Sequence, residues 1–295
     1  MPELPEVETV VRGLAPALTG RRILAVELRR PDLRLPFPEG FCQRLTGARI
    51  TGLSRRAKYI LVATDKGCTL LVHLGMTGRF SLLAGPSAAN LGAFYFEQGS
   101  ADGRGLHDHV VIDLDDGCRV VFSDPRRFGL MDLVEEGAEE NNRHLRGLGV
   151  EPLGNDFNAA YLAARFKDKT APLKAALLDQ GVIAGLGNIY VSEALHRAGL
   201  SPRRLAGTLV RRRGNDPRLD LLVRHIRDIL NEAIRAGGST LQDFAGADGA
   251  PGAYQQSFAV YDREGEPCSR PSCGGTIRRI VQSGRSTFYC SRCQK

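Results

Sequence analysis

Residues 268–293 read CSRPSCGGTIRRIVQSGRSTFYCSRC, and the four cysteines of this stretch fall as C-x4-C-x16-C-x2-C. Two close pairs separated by roughly 15 to 20 residues form the arrangement of a four-thiolate structural zinc site. Each pair fits one turn, and Thr276 to Phe288 between them is long enough for a hairpin. Gly274-Gly275 allows the tight backbone that wraps a metal. The spacing is that of a zinc ribbon, which favours zinc over an iron–sulfur cluster. Four protein ligands close the coordination sphere, so Cys268, Cys273, Cys290 and Cys293 predict one Zn2+ that organises structure and is not itself catalytic. A tail this short has little core, and the metal must supply its fold.

The same stretch is strongly basic. From Cys268 to Lys295 there are six basic residues and no acidic ones. Arg278, Arg279, Arg285 and Arg292 on a metal-held hairpin suit phosphate contact. A second cluster, Arg203, Arg204, Arg211, Arg212 and Arg213, lies further upstream, and the 295-residue chain has 40 Lys and Arg against 33 Asp and Glu, a net charge of +7. Charge alone divides evenly between a nucleic-acid surface and a solvated basic face.

Other classes are disfavoured. No apolar run approaches the roughly 20 residues needed to span a bilayer. The opening MPELPEVETV has acids where a signal peptide has Lys or Arg, so a cytoplasmic protein is expected. Seven cysteines in such a chain argue against a disulfide framework. Cys42, Cys68 and Cys118, scattered singly, read as small core residues.

Upstream of the tail the hydrophobic period changes twice. Val7, Val10, Val11, Leu14 and Leu18 share one helical face over residues 4–18, with Pro5 in the first turn. Short runs rich in β-branched residues follow at 23–30, 48–53, 58–64, 68–74, 93–97, 109–114 and 118–123. Turn signals such as Asp65-Lys66-Gly67 and Asp115-Asp116-Gly117 separate several of them, and the pattern predicts a sandwich or barrel. Residues 84–105 read as a loop around one short strand. From about residue 135 the period is helical, with helices predicted at 158–166, 172–179, 188–198 and 217–236. The order is a β domain with its leading helix (1–134), a helical domain (135–245), and a glycine-rich linker with the zinc hairpin (246–295): an α+β, multidomain chain.

Pro2-Glu3-Leu4-Pro5-Glu6 has two physical readings. Carboxylates complement the positive end of a helix dipole, which is a sufficient structural reason for them. Alternatively, removal of Met1 would leave Pro2 a free secondary amine. An α-amino group with a pKa of about 7.7–8.0 is partly neutral near pH 7, and such an amine can attack a sugar carbon and form an iminium.

A set of strings decides between them. MPELPEVET, Arg56-Ala57-Lys58-Tyr59, His73-Leu74-Gly75-Met76-Thr77-Gly78, His107-Asp108-His109, Asp124-Pro125-Arg126-Arg127-Phe128-Gly129, Gly185-Leu186-Gly187-Asn188-Ile189-Tyr190 and the cysteine tail occur in one order. This combination resembles the formamidopyrimidine-DNA glycosylase family along essentially the whole chain. The resemblance implies a β-sandwich, a helix–two-turn–helix domain and a zinc-finger hairpin. It also implies a bifunctional base-excision enzyme that removes oxidised purines from double-stranded DNA and then cuts the strand by β,δ-elimination. A monomer is expected, nucleoid-associated when acting, with no cofactor beyond the structural zinc.

What the resemblance implies for single residues is specific. Pro2 is the nucleophile that displaces the damaged base and forms the Schiff base, and Glu3 is the acid. Lys58 is linked to elimination and phosphate binding, and Arg285 to the second elimination; phosphate positioning is the better-founded physical role for Arg285, because an arginine is a poor proton donor. Met76, Arg126 and Phe128 fill the void left by the everted nucleotide, as apolar wedges between base steps do. His107, Arg126, Lys169, Lys174 and Asn188 contact DNA. Asn188, at a predicted helix start, also reads as a plain cap. Two departures stand out: the spacing around Lys169 is one residue long, and the first cysteine pair is x4 where x2 is common, with Arg270-Pro271 as the extra residues. The alternatives are an endonuclease VIII-like enzyme for oxidised pyrimidines, a non-catalytic damage-binding zinc protein, and a structural RNA-binding protein.

Overall fold

A computed structural model describes residues 1–83, 105–211, 214–239 and 252–295. The chain divides into two compact units, Met1–Arg146 with Ala236–Ala253, and Gly147–Arg235 with Tyr254–Lys295. No helix among the described residues is long and apolar enough to cross a membrane.

The first unit opens with α1 (Leu4–Leu18), which buries the predicted face and Leu4 as well. Eight strands follow among the described residues: β1 (Ile23–Leu28), β2 (Ile50–Arg56), β3 (Tyr59–Thr64), β4 (Cys68–His73), β5 (Arg79–Leu83), β6 (Asp108–Leu114), β7 (Arg119–Ser123) and β8 (Leu130–Glu135), with the short α2 (Phe41–Leu45) after β1. They form two antiparallel sheets, ordered β1-β6-β7-β5 and β2-β3-β4-β8. Of the two architectures the pattern allows, this is the sandwich. Strands β3 and β5 bury alternate residues, as strands with one core face do. Side chains from both sheets meet α1 in one core that includes Val10, Leu14, Ile60, Leu70, Val110 and Phe122. The pattern does not anticipate β5 and β8. In β8 the apolar residues come in pairs, Leu130-Met131 and Leu133-Val134, and most of the strand is buried, so the period-2 signal is absent. The strand expected at 93–97 lies outside the described residues, as does most of the loop expected at 84–105.

The second unit holds α3 (Ala159–Phe166), α4 (Leu173–Leu178), α5 (Asn188–Arg197) and α6 (Arg218–Arg235), each within two residues of its predicted ends. Helix α6 buries Leu219, Leu222, Val223, Ile226, Ile229, Leu230 and Ile234, the predicted stripe. A two-residue pair, β9 (Val210–Arg211) with β10 (Gly214–Asn215), precedes it. Helix α5 is buried from Ile189 to His196 and packs on α4, α6 and the cysteine hairpin. That hairpin is β11 (Ile277–Gln282) paired with β12 (Arg285–Cys290). Ser283 and Gly284 both have positive φ, so the strands close through the primed two-residue turn whose twist suits a hairpin. Arg285 is the first residue after that turn.

Candidate functional site

The N-terminal end of α1 is built around two carboxylates. Glu3 is the N-cap, and its side chain accepts the Glu6 N–H while Glu6 Oε2 accepts the Glu3 N–H at 2.8 Å. This reciprocal box satisfies two donors that a helix start leaves open. Glu6 Oε1 accepts the Ser239 N–H at 2.9 Å and its hydroxyl at 3.1 Å. Pro2 is buried immediately before the cap, while Met1 is exposed. Both carboxylates are almost fully buried. Position 2 is therefore a buried residue adjoining a buried carboxylate cap.

Lys58 is delivered to the first unit by a tight turn. Ala57 has a φ of 54°, and its carbonyl accepts from Arg55 Nη1 at 2.9 Å. Arg55 Nε also donates to Glu8 Oε2 on α1 at 3.0 Å. Burial alone would raise the Glu8 carboxyl, but hydrogen bonds from Arg12 and Arg55 outweigh it and hold it below the usual carboxylate range. The helix that presents Pro2 and the turn that presents Lys58 are thus tied through one ion pair. Lys58 is itself buried.

Met76, Arg126 and Phe128 come from two neighbouring turns. Met76 and Phe128 are 37% and 45% exposed, unusual for large apolar side chains. The Arg126 guanidinium lies 4.8 Å from the Phe128 ring centroid, a cation–π distance. The turns touch at the backbone: a Cβ on Gly75, whose φ is 65°, would lie 2.3 Å from the Phe128 carbonyl carbon, so only glycine fits there. His73 Nδ1 accepts the Gly75 N–H at 2.9 Å. Burial, with Lys58 and Arg34 nearby, pushes His73 down to about 4, so the ring is a neutral acceptor near pH 7. His107 is half-buried, and its carbonyl accepts the Asp124 N–H at 3.0 Å.

In the second unit the four cysteine sulfurs lie within 4.8 Å of one another. Cys268 to Cys293 is 3.8 Å and Cys273 to Cys290 is 3.6 Å, far beyond a disulfide. A tetrahedron with Zn–S bonds of about 2.3 Å has edges of about 3.8 Å, so the donor set fits zinc. A Cβ on Gly275 would lie 2.7 Å from Cys290 Sγ, which explains the glycine beside the second ligand. His196 Nε2 stands 3.3 Å from Cys268 Sγ, the outer-shell contact that orients a ligand.

Residues 1–131 match the formamidopyrimidine-DNA glycosylase N-terminal domain, 148–245 the H2TH domain of the same protein, and 265–295 the zinc finger found in FPG and IleRS. A formamidopyrimidine-DNA glycosylase of Rhizobium meliloti is 56% identical over the whole of both chains. The chain belongs to the formamidopyrimidine-DNA glycosylase family. Among solved members, an FPG mutant of Lactococcus lactis in complex with Fapy-dG-containing DNA superposes with a TM-score of 0.84 at 32% identity, covering 100% of both chains. A MutM in complex with carbocyclic 8-oxo-G-containing DNA superposes at 0.83 and 33% identity, again over 100% of both. The family's zinc finger and the sulfur geometry agree on one structural zinc.

Against the family pattern, the remaining residues sort differently from their appearance in the sequence. Lys174 is 1% exposed, and its ammonium donates to the Ser286 carbonyl at 3.0 Å and to Thr287 Oγ1 at 2.5 Å. Asn188 is not the cap of α5; Gly187 occupies that position, and Asn188 Nδ2 donates to the same Ser286 carbonyl at 3.0 Å. Both side chains therefore hold the residue after Arg285, which is itself exposed at the hairpin tip. Lys169 is partly exposed and pairs with Asp179 at 3.5 Å. The two extra residues of the first cysteine pair have a use: Arg270 Nη2 donates to the His196 and Arg197 carbonyls at 2.8 and 3.0 Å, closing the C-terminal end of α5. Neither Arg55 nor Glu193 is marked by any motif, and the sequence pattern offers Glu6 only as a carboxylate at a helix start. Buried Glu193 accepts the Ala259, Val260 and Tyr261 N–H groups and fastens the segment leading to the hairpin. Only the acidic repeat in the opening string hinted at Glu6.

Proposed function

We propose that this chain excises oxidised purines, 8-oxoguanine and formamidopyrimidines, from double-stranded DNA and cleaves the strand at the abasic site that results. Residues 1–134 act as the catalytic domain, 135–245 as the helix–two-turn–helix DNA-binding domain, and 246–295 as linker and zinc finger. The observation that carries the reading is Pro2, buried one residue before a helix cap and flanked by Glu3 and Glu6. With Met1 removed, the Pro2 amine attacks C1′, the N-glycosidic bond breaks and the base departs with its electron pair. Glu3 supplies the proton that the opening sugar or the leaving base needs, work for which a buried carboxyl is well placed. Ring opening leaves an iminium between Pro2 and the sugar. Loss of the C2′ proton then expels the 3′ phosphate, and a second elimination expels the 5′ phosphate. Hydrolysis of the iminium frees the enzyme.

The other residues bind and orient. Lys58 assists elimination and neutralises a phosphate, Arg285 contacts phosphate from the hairpin tip, and His107, Lys169 and Asn188 contribute to the backbone grip. Lys174 acts on that grip through the hairpin it holds. Met76, Arg126 and Phe128 fill the gap left by the everted nucleotide, offsetting lost stacking of a few kcal/mol. Zinc, held by Cys268, Cys273, Cys290 and Cys293, supplies no reaction chemistry and fixes the hairpin. The enzyme works in the cytoplasm, on nucleoid DNA.

The test is borohydride trapping of protein with a mass-verified N-terminal proline on a duplex carrying one 8-oxoguanine opposite cytosine. A covalent adduct is expected, lost in Pro2→Gly and sharply reduced in Glu3→Gln. No adduct from zinc-replete protein would sink the lyase mechanism, and an adduct confined to oxidised-pyrimidine duplexes would transfer the chain to that branch.

A further inference from the structure

The turns that carry Met76, Arg126 and Phe128 share a buried polar contact that the chemistry above leaves unused. Thr77 is 7% exposed and Asp124 is fully buried. Thr77 Oγ1 donates to Asp124 Oδ1 at 2.5 Å and accepts the Arg126 N–H at 3.2 Å. Asp124 Oδ2 accepts the Gly129 N–H at 2.8 Å, and the Asp124 carbonyl accepts the Arg127 N–H at 3.2 Å. That carbonyl also accepts from His109 Nε2 at 2.9 Å. One aspartate therefore spans the 126–129 turn from end to end, and one hydroxyl joins it to the residue after Met76.

The position of this contact matters because of what the tips lack. Met76, Arg126 and Phe128 are all exposed at the surface, and neither Met76 nor Phe128 belongs to the core of the sandwich among the described residues. A wedge must enter the base stack with its parts in fixed relation, and two independently mobile turns would lose that orientation. Burying a hydroxyl against a carboxylate is favourable only when both are bonded, so the contact also specifies one arrangement of the turns. We propose that Thr77 and Asp124 are positioning residues that join Met76, Arg126 and Phe128 into one rigid wedge, so that base eversion depends on their hydrogen bond and the amine chemistry does not. The proposal rests on the void-filling reading of those three side chains.

The experiment compares two substrates under single turnover with full-length, zinc-loaded protein. One is a duplex with 8-oxoguanine opposite cytosine, read as base release. The other is the same duplex with a preformed abasic site, read as strand cleavage, where no base has to leave the stack. Thr77→Val is expected to slow base release about tenfold or more and strand cleavage less than about threefold. Thr77→Ser keeps the hydroxyl and stays within about threefold on both. In a Phe128→Ala background, Thr77→Val is expected to add less than about threefold, because parts of one device are not additive. Equal slowing on both substrates, full additivity, or unchanged base release overturns the proposal. If Phe128→Ala slows base release and Thr77→Val does not, the proposal alone falls; if Phe128→Ala changes nothing, the void-filling reading falls and takes the proposal with it. Should Thr77→Val fold poorly, Thr77→Ala is read on the same two substrates.

Discussion

The α1 end of the first unit and the hairpin of the second hold their candidate functional side chains by opposite means. Pro2 and Glu3 immediately precede a helix whose apolar face joins a core drawn from two four-stranded sheets, and Glu3 and Glu6 close a reciprocal capping box there. Among the described residues, the hairpin presents Arg285 from a cluster of five buried apolar residues, Val260, Cys273, Ile277, Phe288 and Cys290, two of which are metal ligands, with Tyr261 packed against it. A core this small cannot offset the chain entropy of the module, whereas zinc–thiolate bonding can. A group that does covalent work needs a dry and rigid setting, which a sandwich provides. An arginine that meets phosphate needs exposure, and a metal permits both exposure and order.

The sharpest way to break this contrast is to take the metal away. Chelation, or Cys290→Ser, is expected to unfold the hairpin and lower DNA affinity by about a hundredfold or more, given that structural zinc contributes on the order of 10 kcal/mol to such modules. Urea melting of the first unit, followed through its own probes, should barely move. A joint collapse of both units would show that they do not hold their residues independently.

A smaller effect is expected from Arg55→Met, which removes the tie between α1 and the Lys58 turn. Loss of the partly buried Glu8 pair and of the bond to the Ala57 carbonyl should cost about 2–3 kcal/mol in urea unfolding, with zinc content unchanged. Strand cleavage at an abasic site should fall with it. Normal stability and normal cleavage would mean that the Lys58 turn needs no support from the helix.

The smallest effect is a pH slope. His73 titrates near 6.5 in the unfolded chain and is pushed down to about 4 by burial in the folded one. Below about pH 6.5 the unfolded state therefore binds more protons, and stability falls as pH drops from 6.5 toward 4. After allowance for the partial exposure of the ring, the loss is about 1–2 kcal/mol. Burial also lowers His109, His144, His196 and His225, so His73→Gln should make the slope in that window shallower without abolishing it and leave stability above pH 7 nearly unchanged; an equally steep slope in the variant would assign the acid sensitivity to the others.

The same contrast governs what can be read from the chain. The zinc site is legible because its ligands lie in one 26-residue stretch and their spacing is itself the geometry. Helices α1 and α6 are legible because periodicity is a local signal. Strand β8 is not, since burial along most of its length erases alternation, and only pairing with β4 defines it. The side-chain ties are the least legible. Asn188 reads as a cap in the sequence, yet Gly187 caps α5 and the Asn188 amide is spent 98 residues away on the Ser286 carbonyl. Lys174, which the family resemblance offers as a DNA contact, is covered by the hairpin to which its ammonium donates. The links from Thr77 to Asp124 and from Glu6 to Ser239 join residues 47 and 233 positions apart, where no spacing rule operates.

The last of these links sets an order of events during synthesis. The segment Met1–Arg146 contains both sheets and α1, and it leaves the ribosome first. Its Glu6 carboxylate then lacks the Ser239 donors until about 90 more residues have been made, an interval of roughly 5 to 20 seconds at cellular elongation rates. The nascent sandwich thus waits for Ser239, which follows the helical region in the chain, before the surroundings of the α1 start are complete. On the function proposed above, the setting of the Pro2 amine is thus completed late, when most of the helical unit has already been synthesised.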